Sequence, residues 1–121
     1  MLTGNVMVAG ASGLIGSACM RQLSSFNDVH IFAPTRCELN LTERQALSEY
    51  LQDNKVETVI FAAGRVGGIA ENLKNPANLL DENAILSLNG MWAASFSGVK
   101  RMIVFGSSCM YPLNGIQPMR E

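Results

Sequence analysis

The sequence predicts an α/β fold class: a parallel sheet wound with helices in the order β-α-β-α-β-α-β. Three observations carry that expectation. Short apolar runs alternate with longer amphipathic ones along all 121 residues. The short runs are near-continuously apolar rather than alternating, the pattern of strands covered on both faces. A glycine triplet, Gly10, Gly13 and Gly16, sits where the first run gives way to a helical pattern.

The elements follow in order. "NVMVAG" (Asn5–Gly10) is a buried-strand pattern ending in glycine. "GLIGSACMRQLSSF" (Gly13–Phe26) places Leu14, Ile15, Ala18, Cys19 and Leu23 on one helical face. "DVHIFAP" is a second strand, stopped by Pro34. "LTERQALSEYLQDN" is a helix whose Thr42 and Gln45 form a T-x-x-Q capping box, with Glu43 suited to the positive end of the dipole. "ETVIFAAG" (Glu57–Gly64) is a third strand, and "RVGGIAENLKN" reads as a glycine-containing loop. Pro76 opens a long helix running to about Ser97, because proline fits a first helical turn. "RMIVFGSS" is a fourth strand. Right-handed crossovers build these strands into an open parallel sheet of Rossmann type, half of a doubly wound fold. In the usual winding order the fourth strand lies beside the first, and ligand binds outside their carboxyl ends.

Composition narrows the function. The chain is 48% hydrophobic and 16% charged, which predicts a folded core, and its length predicts one small domain spanning 1–121. Net charge is −1 with no block of Lys/Arg, so neither nucleic acid nor an anionic membrane is an expected partner. No apolar stretch approaches the roughly 18 residues of a membrane span, and the N-terminus lacks a signal-peptide pattern. Three cysteines, Cys19, Cys37 and Cys109, show no spacing regularity, which fits reduced thiols in a cytoplasm. His30 is the only histidine, so a His-based metal site or a Ser-His-Asp triad is not expected.

The glycine triplet points to dinucleotide binding. Gly10 permits the tight turn, Gly13 lets a pyrophosphate approach the backbone, and Gly16 lets the helix pack close to the sheet. The helix N-terminus offers N–H groups to phosphate. Ser12 either adds a hydroxyl to a phosphate or solvates the turn. The end of the second strand chooses the cofactor, since an NAD enzyme often places an acid there, about 20 residues past the glycines. Here Pro34 and Thr35 occupy that place and Arg36 follows. Arg36 favours NADP over NAD, because guanidinium pairs with a 2′-phosphate through two parallel bonds. Glu38 keeps the NAD reading open.

With the glycines, "TRCELNL" (Thr35–Leu41), "VGGI" (Val66–Ile69), "NPA" (Asn75–Ala77), "FGSSCMYP" and "QPM" assembled, the chain resembles the extended short-chain dehydrogenase/reductases. Among these it is most similar to the GDP-L-fucose synthase family, NADPH-dependent epimerase/reductases acting on GDP-4-keto-6-deoxy-D-mannose. The resemblance implies that Gly10, Ala11, Ser12, Gly13, Leu14, Ile15 and Gly16 bind the NADP pyrophosphate. It implies that Arg36, Cys37, Glu38, Leu39, Asn40 and Leu41 hold the adenosine phosphate end. Ala62, Ala63 and Gly64 would pass near the adenosine ribose and pyrophosphate, and Phe105, Gly106, Ser107 and Ser108 would line the nicotinamide side. Ser107 matches a catalytic serine that polarises the 4-keto oxygen, and Cys109 matches an acid/base in epimerisation. Those roles suit the chemistry, since a thiol of pKa about 8.5 exchanges protons near neutrality once tuned, and a hydroxyl donates to developing oxyanion charge. The partners implied are a GDP-sugar substrate and a second copy of the chain.

Several residues carry plainer expectations. Cys19 and Cys37 read as small buried hydrophobes or loop residues, and Tyr111-Pro112 as a packing and turn feature. The stripe Leu80, Ala84, Ile85, Leu88, Met91, Trp92 and Phe96 reads as core or as part of a subunit interface. The Tyr-x-x-x-Lys of short-chain reductases is not among these residues: Asn54 stands four past Tyr50, and Gly115 four past Tyr111. The chain alone is therefore expected to lack reductase activity, the substrate domain and the sheet's later strands, with an apolar "RMIVFG" edge facing water. Two other readings stay open: an NAD-dependent nucleotide-sugar epimerase or dehydratase, and a non-catalytic dinucleotide-binding or interaction module.

Overall fold

The computed structural model describes residues 3–107, 110–112, 114, 115 and 118. Strands β1 (Gly4–Ala9), β2 (Val29–Phe32), β3 (Thr58–Phe61) and β4 (Arg101–Val104) form one sheet, and helices α1 (Leu14–Leu23), α2 (Arg44–Asp53), α3 (Ile69–Lys74) and α4 (Pro76–Phe96) connect them. All pairings are parallel. Gly4 to Met7 match Val29 to Phe32, Val6 to Ala9 match Thr58 to Phe61, and Thr58 to Phe61 match Arg101 to Val104.

The strand order is β2-β1-β3-β4, which corrects one expectation: β4 lies beside β3, not beside β1. The two faces explain it. Val6, Val8 and Ile60 pack against Leu23 of α1 on one face. Met7, Ala9, Val59 and Phe61 pack with Leu47 and Leu51 of α2 and Ala93 of α4 on the other. The chain crosses one face through α1 to lay down β2, then returns across the opposite face through α2. That return sets β3 on the free edge of β1, and α4, on the same face as α2, carries the chain onward to β4 outside β3. The winding therefore reverses between β1 and β3, and the crevice expected at a topological switch point opens there.

Helix faces follow from close contacts at glycine. A Cβ on Gly16 would lie 2.0 Å from the Gly10 carbonyl oxygen. This abutment turns the i, i+3, i+4, i+7 row Gly16, Cys19, Met20, Leu23 toward the sheet. Leu14 and Ile15, expected on the buried face, are exposed instead, as is Ala18. In α4 a Cβ on Gly90 would lie 2.6 Å from the Phe61 ring. The small residues Gly90, Ala93 and Ala94 therefore face the sheet with Leu79 and Asn89. The bulky stripe is turned outward: Leu80, Ala84, Ile85, Leu88, Met91 and Phe96 are exposed, and only Trp92 is half-buried. That stripe is not core.

Two local expectations also change. The T-x-x-Q capping box does not form. Glu43 is the N-cap without a side-chain cap bond, Thr42 Oγ1 donates to Asn40 Oδ1 (2.9 Å), and Gln45 donates to Glu49 (3.0 Å). Asn40 has captured the threonine by accepting both its hydroxyl and its N–H (3.2 Å). The glycine-containing segment after β3 includes a short helix, α3, rather than being all loop. The β4 edge is apolar and open as expected, with Ile103, Val104 and Phe105 exposed. Cys19 is half-buried in α1 and Cys37 is exposed in a turn. Among the described residues no helix is long and apolar enough to cross a membrane.

Asn89 joins α4 to the start of α2. Its side chain is buried, donates to the carbonyls of Thr42 (2.6 Å) and Leu41 (3.4 Å), and accepts from Arg44 Nε (3.1 Å). Arg44 in turn lies over the Trp92 ring at 5.1 Å. Replacing Asn89 by Leu strands these partners and is expected to cost about 1–3 kcal/mol. Urea unfolding of Asn89→Leu beside the parent chain measures it; an unchanged midpoint would mean that water replaces the amide without cost.

Candidate functional site

A cleft of about 800 Å³ opens at the carboxyl ends of the central strands, along the β1/β3 switch point. One wall is the turn from β1 into α1. Gly10 has φ +78, a conformation that favours glycine, and a Cβ there would sit 2.7 Å from the Ala62 carbonyl oxygen. Gly13 N–H closes the turn on the Gly10 carbonyl (3.0 Å), and Gly13 is the N-cap of α1 with no side-chain cap. The first-turn N–H groups of α1 thus have no intrahelical acceptor, which is the setting in which a helix start receives phosphate. Gly10, Ala11, Ser12 and Gly13 all line the cleft.

The opposite wall is Ala62, Ala63 and Gly64, held to the turn by Ala62 N–H donating to the Ala9 carbonyl (2.9 Å). Arg65 follows and lines the cleft as well. Asn83 of α4 brackets its backbone, accepting from the Arg65 N–H and donating to its carbonyl, both at 2.8 Å. The Arg65 guanidinium pairs with Glu82 and lies 3.6 Å from Glu71, so its charge is compensated. Met7, Leu39 and Leu86 give an apolar floor.

The far end is the segment after β2. Pro34, Thr35, Arg36, Leu39, Asn40, Leu41 and Thr42 line it. Among the described residues no carboxylate lies within ion-pair distance of Arg36, in contrast to Arg65. Glu38 turns away from the cleft lining and accepts from Thr35 N–H (2.7 Å) and Thr35 Oγ1 (2.8 Å). The Thr35 N–H first, and its hydroxyl second, hold the Glu38 carboxyl below its ordinary value of 4.5. The sign follows: this contribution is present above the unfolded pKa and is lost as pH falls through the lowered value. Tyr50, packed edge-on against Phe32, has its phenol pushed up by burial and then by the Glu38 charge.

Not every expected residue reaches the cleft. Leu14 and Ile15 start α1 but point outward, and Gly16 lies buried beneath the turn as a packing residue. Cys37 sits in the exposed turn. Phe105, Gly106 and Ser107 follow β4, one strand outward from the switch point, and do not line the cleft. Ser107 accepts from Met110 N–H (3.0 Å), which folds the chain back after the strand. Ser108 and Cys109 lie outside the described residues. Sequence reasoning missed Arg65, Glu82, Asn83 and Asn89. Of these, Asn89 carried a signal, as an amide within the apolar C-terminal half of α4.

The open parallel sheet, the reversal of winding at β1/β3 and the glycine turn beneath the cleft define a doubly wound α/β domain of Rossmann type. The chain belongs to the NAD dependent epimerase/dehydratase family, whose model matches residues 6–121. It is 38% identical over 116 residues to GDP-L-fucose synthase from Escherichia coli (strain K12), covering 96% of this chain and 36% of that protein. Among solved structures, a GDP-mannoheptose C4 reductase from Campylobacter jejuni with NADP bound superposes with a TM-score of 0.85 at 30% identity, over 99% of this chain and 35% of that one. A GDP-D-glycero-L-gluco-heptose synthase from the same organism, in the presence of NADPH, gives 0.88 at 28% identity, over 99% and 35%. The chain thus spans about a third of the length of the relatives it matches.

Proposed function

We propose that this chain forms the NADPH-binding part of a nucleotide-sugar epimerase/reductase that makes GDP-L-fucose from GDP-4-keto-6-deoxy-D-mannose. The observation that carries the reading is the cleft itself, which runs from the Gly10–Gly13 turn to an uncompensated Arg36. Its volume of about 800 Å³ lies within the roughly 300–1,000 Å³ of small-molecule sites. The turn at Gly10 is so tight that a Cβ there would strike the Ala62 backbone, so main-chain atoms rather than side chains meet at the cleft, and the residues present fit a dinucleotide. The cofactors named for the two solved relatives agree with that fit.

In this reading the Gly10–Gly13 backbone and the α1 N-terminus hold the pyrophosphate. Arg36 pairs with the 2′-phosphate, and Leu39 to Leu41 enclose the adenosine. Ala62 to Gly64 give the ribose and pyrophosphate a flat wall, and Asn83 fixes that wall from behind. Bound NADPH supplies the hydride that reduces the keto carbon. Ser107 donates a hydrogen bond to the keto oxygen. Cys109, as the thiolate, takes the proton beside the carbonyl, and inversion follows when a proton is returned to the opposite face of that carbon. These 121 residues contain no Tyr-x-x-x-Lys, so this polypeptide alone is expected to bind NADPH without oxidising it when given the keto sugar. Absorbance at the reduced-nicotinamide band reads that outcome, and steady oxidation would contradict it.

Titration calorimetry of Arg36→Ala with NADPH and NADH tests the cofactor assignment. The substitution removes a bidentate charge-assisted contact, so NADPH affinity is expected to fall about 10–100-fold while NADH affinity barely moves. Equal losses would remove the 2′-phosphate role. A second copy of the chain is the proposed protein partner, packed against the exposed stripe of α4.

A further inference from the structure

Arg36 stands in a turn closed from within, and the group that closes it is Glu38. We propose that Glu38 is a positioning residue for cofactor choice: its carboxylate locks the Thr35–Glu38 turn, which presents Arg36 to the cleft and withdraws that carboxylate from the ribose. The inference rests on the NADPH reading above.

The geometry supports both halves. Glu38 Oε2 accepts from Thr35 N–H at 2.7 Å and from Thr35 Oγ1 at 2.8 Å. The backbone closes the same turn, with the N–H groups of Glu38 (3.1 Å) and Leu39 (2.9 Å) donating to the Thr35 carbonyl. Thr35 is thereby held at both its polar ends, and Thr35, Arg36 and Leu39 line the cleft while Cys37 and Glu38 do not. An acid near the end of β2 is the group that selects NAD by taking the ribose hydroxyls. Here that acid is the nearest carboxylate in sequence to Arg36, yet one of its oxygens already serves two donors on Thr35. Two opposite functions are thus kept apart by one local bond set. A free Glu38 would be able either to pair with Arg36 or to repel a 2′-phosphate. The tethered one makes no ion pair with Arg36 and is absent from the cleft lining.

The test is calorimetric binding of NADPH and NADH to the 121-residue chain carrying Glu38→Ala, Glu38→Gln or Thr35→Val. Glu38→Ala is expected to weaken NADPH about five- to tenfold, the scale of a lost charge-assisted contact, and to leave NADH within about twofold. Glu38→Gln keeps an acceptor oxygen for Thr35 and is expected to restore most of the NADPH affinity. Thr35→Val removes one donor, so its effect and that of Glu38→Ala should be non-additive in the double variant. Equal weakening of both nucleotides, a larger loss for NADH, or no change in either overturns the proposal. A parent chain that binds NADPH no better than NADH would instead defeat the cofactor reading beneath it. Circular dichroism of each variant guards against misfolding, and the exposed positions of Thr35 and Glu38 make folding of all four expected.

Discussion

Gly10→Ala is expected to destabilise the chain by roughly 2–5 kcal/mol, from a left-handed backbone penalty of about 1–2 and an overpacking cost of about 1–3, and to abolish nucleotide binding. Two separate obstacles meet at this residue. Its φ of +78 is one that L side chains rarely adopt, and its absent Cβ would lie 2.7–2.8 Å from the Ala62 carbonyl group and Ala63 Cα. These neighbours are backbone, anchored by the Ala62 to Ala9 hydrogen bond, so they cannot rotate aside. Moving them would separate β1 from β3 at the carboxyl end, which is the mouth of the cleft. Gly98 supplies an internal control. Its φ is +76, but nothing lies within 4 Å of a Cβ placed there. Gly98→Ala should therefore show the backbone penalty alone and leave NADPH binding intact. Denaturant unfolding and calorimetry on the two variants separate strain from collision. If both lose equal stability and Gly10→Ala still binds NADPH, the close approach of the two strand ends is not what the glycine serves.

The same residue shows what a sequence can and cannot disclose. Gly10, Gly13 and Gly16 were legible because a tight turn, an open N-terminus and a close helix contact each exclude larger residues, and the spacing records all three. The central strands β1 and β3 were legible because burial on both faces leaves no polar alternation to misread, and the edge strands β2 and β4 were legible as short apolar runs although they are less buried. The position of β4 was not. Strand order depends on which face each crossover takes, and that is decided by α2 and α4 packing together over Met7, Ala9 and Phe61. Whether the stripe of α4 was core or interface could not be read for a related reason. Periodicity locates an apolar face but not its partner, and only the Gly90–Phe61 contact reveals that the small residues win the sheet. Glu38 was visible as an acid at the right place for a ribose, but its bonds to Thr35 depend on a turn that propensity does not specify. Arg65 was hidden altogether, since its value at the cleft depends on Glu82 and Asn83, which lie 17 and 18 residues further along the chain.

The 121-residue chain is expected to self-associate through α4, and Leu88→Glu with Met91→Glu is expected to hold it monomeric. Leu80 is 73% exposed, Leu88 57%, Met91 49% and Phe96 63%, an unpartnered apolar row along a 21-residue helix. Scattered apolar residues on a surface need no explanation, whereas a contiguous row does. The helix cannot turn this row inward, because Gly90, Ala93 and Ala94 are already seated on the sheet. A second α4 laid alongside would cover both rows at once and satisfy the isologous symmetry that most homodimers adopt. The exposed β4 edge offers a competing route, by strand addition through Ile103 and Val104. Sedimentation velocity on three proteins distinguishes them. Monomer only for the α4 double variant assigns the contact to the helix. Monomer only for Ile103→Lys assigns it to the sheet edge and would falsify the helix pairing. Neither substitution falls on a residue that lines the cleft, so NADPH affinity should be the same in all three, and association and cofactor binding can be read independently.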